Sequence, residues 1–222
     1  MITDGPDRRP ASRRRFLGAV AAGTVALAGC TGSSDPGTSG SGEQRETLSE
    51  PPEWPPVLGD PEAAVTLEVF EDFNCPHCQE YSTEQFPEVK SEYLDPGSIR
   101  YEHRDLPFIH ATSWQAASAV REVYRLYGGD VFWEYKSKLM ESGSQIRNNA
   151  PGIFGEIAAQ LNLDSEAVRE AAANRAHDER VQADRSRAVE YGVEATPGFV
   201  VDGSVMSGLA DARSTIDSKL SE

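Results

Sequence analysis

The sequence predicts an α/β fold in which a βαβ unit and a ββα unit flank a helical insert. Three observations predict it. A strand pattern at 65–70, a helical pattern at 75–94 and a second strand pattern at 98–104 follow one another directly. Helical periodicity then occupies 110–190 without a strand. Strand character returns at 199–201 and 204–206, and 209–220 closes the chain as a helix.

The elements follow in order from local chemistry. Val65-Thr66-Leu67-Glu68-Val69-Phe70 is rich in β-branched and aromatic residues, which suit a pleated, half-buried surface. Pro76 stands near the start of the next helix, where a missing N–H costs little. A right-handed crossover through that helix makes the strands at 65–70 and 98–104 parallel. Within the insert, helices are expected at 114–127, 132–141, 151–161, 165–174 and 178–191. Gly128-Gly129 and the Ser-Gly-Ser around Gly143 mark breaks. Asp202-Gly203 between two short apolar runs is a two-residue hairpin signal.

Before the domain comes an address label. Arg8 and Arg9, then Ser12-Arg13-Arg14-Arg15-Phe16-Leu17, precede an apolar run at 16–29 rich in Ala and Gly. As a helix that run would span roughly 21 Å, short of the ~30 Å hydrocarbon core, so it reads as a signal peptide. The string around Arg13 and Arg14 resembles a twin-arginine export signal, and Leu27-Ala28-Gly29-Cys30 resembles a lipobox, in which Cys30 receives lipid and becomes the first residue. The alternative is ordinary signal cleavage that leaves Cys30 as an incidental thiol. The expected organisation is a signal peptide at 1–29, lipidated Cys30 with a disordered Gly/Ser-rich tether through 56, and a domain at 57–222 whose helical insert spans about 108–190. That places the protein outside the cytoplasm, anchored to the outer face of the cell membrane.

Composition excludes some partners. The formal charge is −15, and because the first thirty residues hold five Arg against two Asp, the remainder carries 16 basic residues against 34 acidic ones. Such a surface repels phosphate backbones, so no nucleic acid is expected. Only Lys90, Lys136, Lys138 and Lys219 are lysines, and the acidic, Lys-poor balance resembles proteins of extreme halophiles. Three Cys are too few for a disulfide-stapled scaffold.

Two of those cysteines form the informative motif, Cys75-Pro76-His77-Cys78, after a strand and at a helix start. Zinc wants four ligands, the domain has no further Cys, and the four His are scattered, so no metal is expected. A static bridge across so short a spacing closes a strained loop. Redox chemistry is the stronger reading. The first helical turn stabilises a Cys75 thiolate through unpaired N–H groups and the helix dipole. Cys78 lies one turn along the same face, within disulfide reach and more buried. The His77 imidazole is expected beside the Cys75 sulfur, where it would favour the reduced form and make the pair an oxidant. Thr196-Pro197, before the strand at 199–201, supplies a second piece. A cis bond there would turn the Thr196 backbone toward the cysteines, where it could pair with an extended client.

The segment from Phe70-Glu71-Asp72-Phe73-Asn74 through Cys78, with Leu106-Pro107, Phe132-Trp133-Glu134-Tyr135 and Thr196-Pro197, resembles the DsbA-type thioredoxin-like family over about 57–220. The resemblance implies a thioredoxin fold and a thiol-disulfide oxidoreductase that introduces disulfides into reduced exported clients. It implies no cofactor beyond the Cys75–Cys78 disulfide, and an unidentified membrane oxidase for reoxidation. The alternatives are a disulfide reductase or isomerase, and a lipid-anchored peptide-binding module of chaperone type. One departure stands out. Many members carry an acid six positions before the first active Cys, and here that position is Val69. Glu68 should face the other side of the strand, which leaves Glu71, Asp72, water or a shifted strand to handle the proton of Cys78.

Overall fold

The computed structural model describes residues 44–222. The expected signal peptide, Arg13, Arg14 and Cys30 lie outside the described residues. Five strands, β1 (Val57–Gly59), β2 (Thr66–Glu71), β3 (Arg100–Asp105), β4 (Gly198–Val201) and β5 (Ser204–Met206), form one sheet in the order β1-β3-β2-β4-β5. β2 and β3 are parallel, with Val69 opposite His103 and Glu71 opposite Asp105. The other pairings are antiparallel. This is the thioredoxin arrangement, and the β2–helix–β3 crossover is the one the sequence implied.

Between β2 and β3 the chain is helical from 76 to 94, in α1 (Pro76–Glu80) and α2 (Phe86–Val89), each followed by a wider π turn, Tyr81–Gln85 and Lys90–Leu94. A uniform helix was expected. Pro87 has no N–H to return to the preceding turn, and the wide turn before it accommodates that loss. The insert comprises α3 (Ala111–Tyr127), α4 (Gly129–Glu141), a short α5 (Gln145–Asn149) absent from the sequence reading, α6 (Gly152–Gln160), α7 (Ser165–Asn174) and α8 (Asp178–Tyr191). After the β4–β5 hairpin, where Asp202 and Gly203 take φ of 45° and 81° as the Asp-Gly turn requires, α9 (Leu209–Leu220) ends the fold.

The period of two along β2 sorts side chains between layers. Leu67 and Val69 face a core shared with Tyr81, Tyr93, Phe199 and Ile216, whereas Phe70 packs with Ala188 of α8 on the opposite face. A third core, built on Phe132, Tyr135, Leu139 and Phe154, lies within the insert and reaches Cys75 and Cys78. The insert therefore forms one wall of the redox site.

The tether does not extend to 56. Leu48 N donates to Leu126 O at 2.7 Å, and the Tyr124 hydroxyl donates to Glu53 O at 2.6 Å. Trp54 donates to Asp184 at 3.0 Å and stacks under the Arg121 guanidinium at 3.8 Å. Trp54 carries apolar surface that a Gly/Ser linker lacks, and its partial burial, with the backbone bond of Leu48, fixes the segment on the insert.

Candidate active site

Cys75 is the N-cap of α1 in an extended conformation (φ −80°, ψ 119°), with Pro76 at the first helical position. Asp72 shapes the approach. Its backbone carbonyl accepts Cys75 N–H at 3.0 Å, one carboxylate oxygen accepts Asn74 N–H, and the other accepts Phe108 and Ile109 N–H, each at 2.8 Å. Both oxygens are occupied by backbone donors, so Asp72 is a structural clamp and not a proton carrier.

The two thiols are unbonded and differ in environment. Cys75 is 4% exposed and Cys78 is fully buried. Cys75 Sγ lies 3.3 Å from Thr196 O, and the Thr196–Pro197 peptide is cis. A hydrogen bond from the Cys78 thiol, chiefly, lowers the Cys75 thiol to about 5; burial opposes this, while the Thr196 side chain and the Cys78 and His77 amides assist. Cys78 is displaced strongly upward by burial, by its bond to Cys75 and by the charge of Glu71.

The His77 imidazole does not stand beside the sulfur as expected. Its side chain is 79% exposed, and its Nδ1 lies 3.8 Å from the Glu80 carboxylate. His77 reaches Cys75 through its backbone N–H, because the helix start aims amides at the sulfur while the side chain points outward.

The proton question at Val69 is answered by strand geometry. Val69 is fully buried in the sheet core. Glu68 faces the other way, bonded to Arg104 at 2.9 Å, Arg187 at 2.6 Å and Tyr191 at 3.0 Å. Glu71, two residues beyond Val69 on the same face, is the buried acid whose charge reaches Cys78. Its Oε2 takes Lys136 Nζ at 2.8 Å and His103 Nδ1 at 3.0 Å. Burial pushes its carboxyl up, but Lys136 and His103 outweigh burial and leave it below the usual range. The sequence reading assigned no role to Lys136 or His103. A signal existed for Lys136, which shares helical spacing with the buried Phe132, Tyr135 and Leu139.

A thioredoxin-type sheet with one acidified thiol at a helix cap and a buried thiol a turn away defines a thiol-disulfide oxidoreductase of DsbA type. Comparison with known proteins agrees. A family model described as thioredoxin matches residues 53–218, and the chain belongs to that family. It is 28% identical over 171 residues to disulfide bond formation protein D of Bacillus subtilis (strain 168), covering 74% of this chain and 77% of that protein. The crystal structure of oxidised BdbD from Bacillus subtilis superposes with a TM-score of 0.70 at 26% identity, over 80% of this chain and all of that one. Chlamydia trachomatis DsbA shares the fold, with a TM-score of 0.63 at 23% identity over 75% of this chain and 89% of that one.

Proposed function

We propose that this protein oxidises exported clients, introducing disulfides through the Cys75–Cys78 pair. The observation that carries the reading is the opposite displacement of the two thiols. Cys75, lowered to about 5, is a thiolate at neutral pH and a good leaving group, which stabilises the reduced pair and makes its disulfide easy to donate. The name of the Bacillus relative, a disulfide bond formation protein, supports the same direction.

In the reaction a client thiolate attacks Cys75 Sγ, the Cys75–Cys78 bond breaks, and Cys78 leaves as a thiolate that takes one proton. A second client thiolate then attacks the client sulfur of the mixed disulfide and expels the Cys75 thiolate. The client has lost two electrons, and the enzyme holds them as a thiol and a thiolate. A membrane-bound thiol oxidase removes them. The Thr196 backbone, beside Cys75 Sγ, pairs with the extended client in strand fashion. Pro76 starts the helix that activates Cys75 without removing a useful donor. The sequence around Arg13, Arg14 and Cys30 supports export and lipid anchoring at the outer face of the membrane.

The reduction potential tests the direction. A value near roughly −120 mV is expected for an oxidase, and one near roughly −270 mV would make the protein a reductase. Cys75→Ser should abolish oxidation of a reduced client, and Cys78→Ser should trap mixed disulfides. Client binding that survives replacement of both cysteines, with no oxidase activity in the parent, would instead indicate a peptide-binding module. Loss of the protein from the membrane fraction on Cys30→Ser tests the anchor.

A further inference from the structure

Each ring nitrogen of His103 faces a carboxylate. Nδ1 lies 3.0 Å from Glu71 Oε2 and Nε2 lies 3.1 Å from Asp105 Oδ1, and all three side chains are buried. A neutral imidazole has one N–H and one lone pair. It would turn that lone pair onto a carboxylate oxygen at one of the two contacts. Hydrogens at both contacts mean that Glu71, His103 and Asp105 together hold one proton more than two carboxylates and a neutral ring. Charged neighbours hold both carboxylates in place. Lys136 from α4 is bonded to Glu71, and Arg121 from α3 is bonded to Asp105 and to Asp184 of α8. Arg104 also meets Asp184, but it is shared with Glu68 and Glu102. Across the linked network Lys136, Arg121, Arg104, Arg187 and Arg100 match Glu71, Asp105, Asp184, Glu68 and Glu102, and burial raises the Asp184 carboxyl, so the extra proton rests on the two ring contacts alone. The remaining neighbours of the ring are the aromatic faces of Trp54, Phe73, Phe132 and Trp133. Tyr81 and Tyr101 feel the Glu71 charge, and burial raises both well above neutral pH, so neither carries charge there.

Glu71 shares this stored proton with His103, and its charge reaches Cys78. Glu71 Oε2 is occupied, but Oε1 has no hydrogen-bond partner among the described residues. We propose that His103 is the proton reservoir of the reaction, acting through Glu71: it gives up one proton as Cys78 leaves Cys75 and takes one back from solvent, so that the ring is charged in the reduced pair seen here. His103 is a positioning residue in this scheme, since it does not touch sulfur. The balance closes, because opening the disulfide makes one Cys78 thiolate and the cluster loses one proton. On re-formation the Cys78 proton passes out to solvent as its sulfur bonds Cys75, since the cluster is already loaded. Asp105, held by Arg121 and by the contact of its own N–H with Asp184 at 3.0 Å, keeps the ring charged between turnovers. Asp184 also lines an open cavity of about 780 Å³ with Trp54, Arg104 and Arg187, so the far end of the cluster adjoins solvent.

The inference rests on the proposed roles of Cys75 and Cys78, and the experiment separates the two. The oxidised full chain is reduced by dithiothreitol across about pH 6–8, the range in which imidazoles titrate, with each rate corrected for the thiolate fraction of the reductant. The parent should give a flat profile, since the proton comes from within. His103→Gln should fall by about tenfold per pH unit at the alkaline end, as expected of a step that waits for a solvent proton. Asp105→Asn, which keeps an acceptor for Nε2 but loses the charge, should stay flat at low pH and begin to fall at a lower pH than the parent. A flat parent-like profile in His103→Gln overturns the reservoir. If that variant does not fold, a parent-like profile in Asp105→Asn overturns it. A parent whose Cys75–Cys78 disulfide does not form or does not open overturns the proposed function instead.

Discussion

Lys136 Nζ sits 2.8 Å from Glu71 Oε2, so a cation from the helical insert neutralises the acid that the sheet supplies to Cys78. Both side chains are out of water, with 6% and 0% exposure. Removing one partner leaves a charge stranded, which costs about 3–5 kcal/mol, whereas replacing both with apolar groups is often neutral. Lys136→Met should therefore destabilise the domain by about that much in urea unfolding. The Glu71→Leu/Lys136→Met pair should recover only part of the stability, because His103 Nδ1 then loses its acceptor, and none of the rate of client oxidation. Equal stability of Lys136→Met and the parent would show that the pair is not a closed ion pair.

The Cys75 thiolate is stabilised chiefly by the Cys78 thiol, with Thr196 and the backbone amides assisting, and not by the neighbouring imidazole. Thr196→Val keeps the carbonyl facing Cys75 and deletes the hydroxyl. The hydroxyl has no hydrogen-bond partner among the described residues in the reduced pair and acts on Cys75 behind the Cys78 thiol, so the Cys75 pKa should rise by up to about one unit. His77→Ala should move it less, because the His77 side chain is exposed and lies near Glu80. Ultraviolet absorbance of the thiolate against pH measures both, and a larger shift in His77→Ala would reverse the assignment.

Much of this site was legible from residue type and period. The strand–Cys–helix order put Cys75 at a helix cap, and the period of two along β2 placed Glu68 on the wrong face while leaving Glu71 one of several candidates. Three features were not legible. The rotamer of His77 depends on Glu80 and solvent, which no spacing encodes. The link from His103 to Glu71 is a cross-strand contact, fixed by the Glu71–Asp105 register, and register is set by pairing and not by either strand alone. Trp54 was read as tether because its partners, Arg121, Phe132 and Asp184, come from distant helices.

That misread segment can be checked directly. Trp54 packs edge-on against Tyr124 and Phe132 and receives the Arg121 guanidinium on its face. It is only half buried, so Trp54→Ala should cost about 3 kcal/mol, at the low end for aromatic truncation. Tyr124→Phe, which removes only the hydroxyl bound to Glu53 O, should cost about 1 kcal/mol. Thermal unfolding of both variants is the measurement, and an unchanged Trp54→Ala would restore the segment to the tether.

The last prediction concerns the stability of the reduced form against pH. The Cys75 thiol falls to about 5 in the folded protein, whereas an unfolded chain has a thiol near about 8.5. Between these values the unfolded state binds the extra proton, so stability rises with pH across that window. The contribution is complete above the unfolded value and is lost as pH falls through about 5. Cys78, displaced upward, stays protonated in both states through most of the window and adds no slope there. The disulfide form lacks both thiols, so subtracting its stability from that of the reduced form at each pH cancels the carboxylates and His103, whose cluster is charged in both resting forms. The difference should favour the reduced form progressively from about pH 5 to about pH 8. A flat difference would mean that Cys75 titrates as an ordinary thiol, and the ease with which its disulfide is given away would then have no source in the fold.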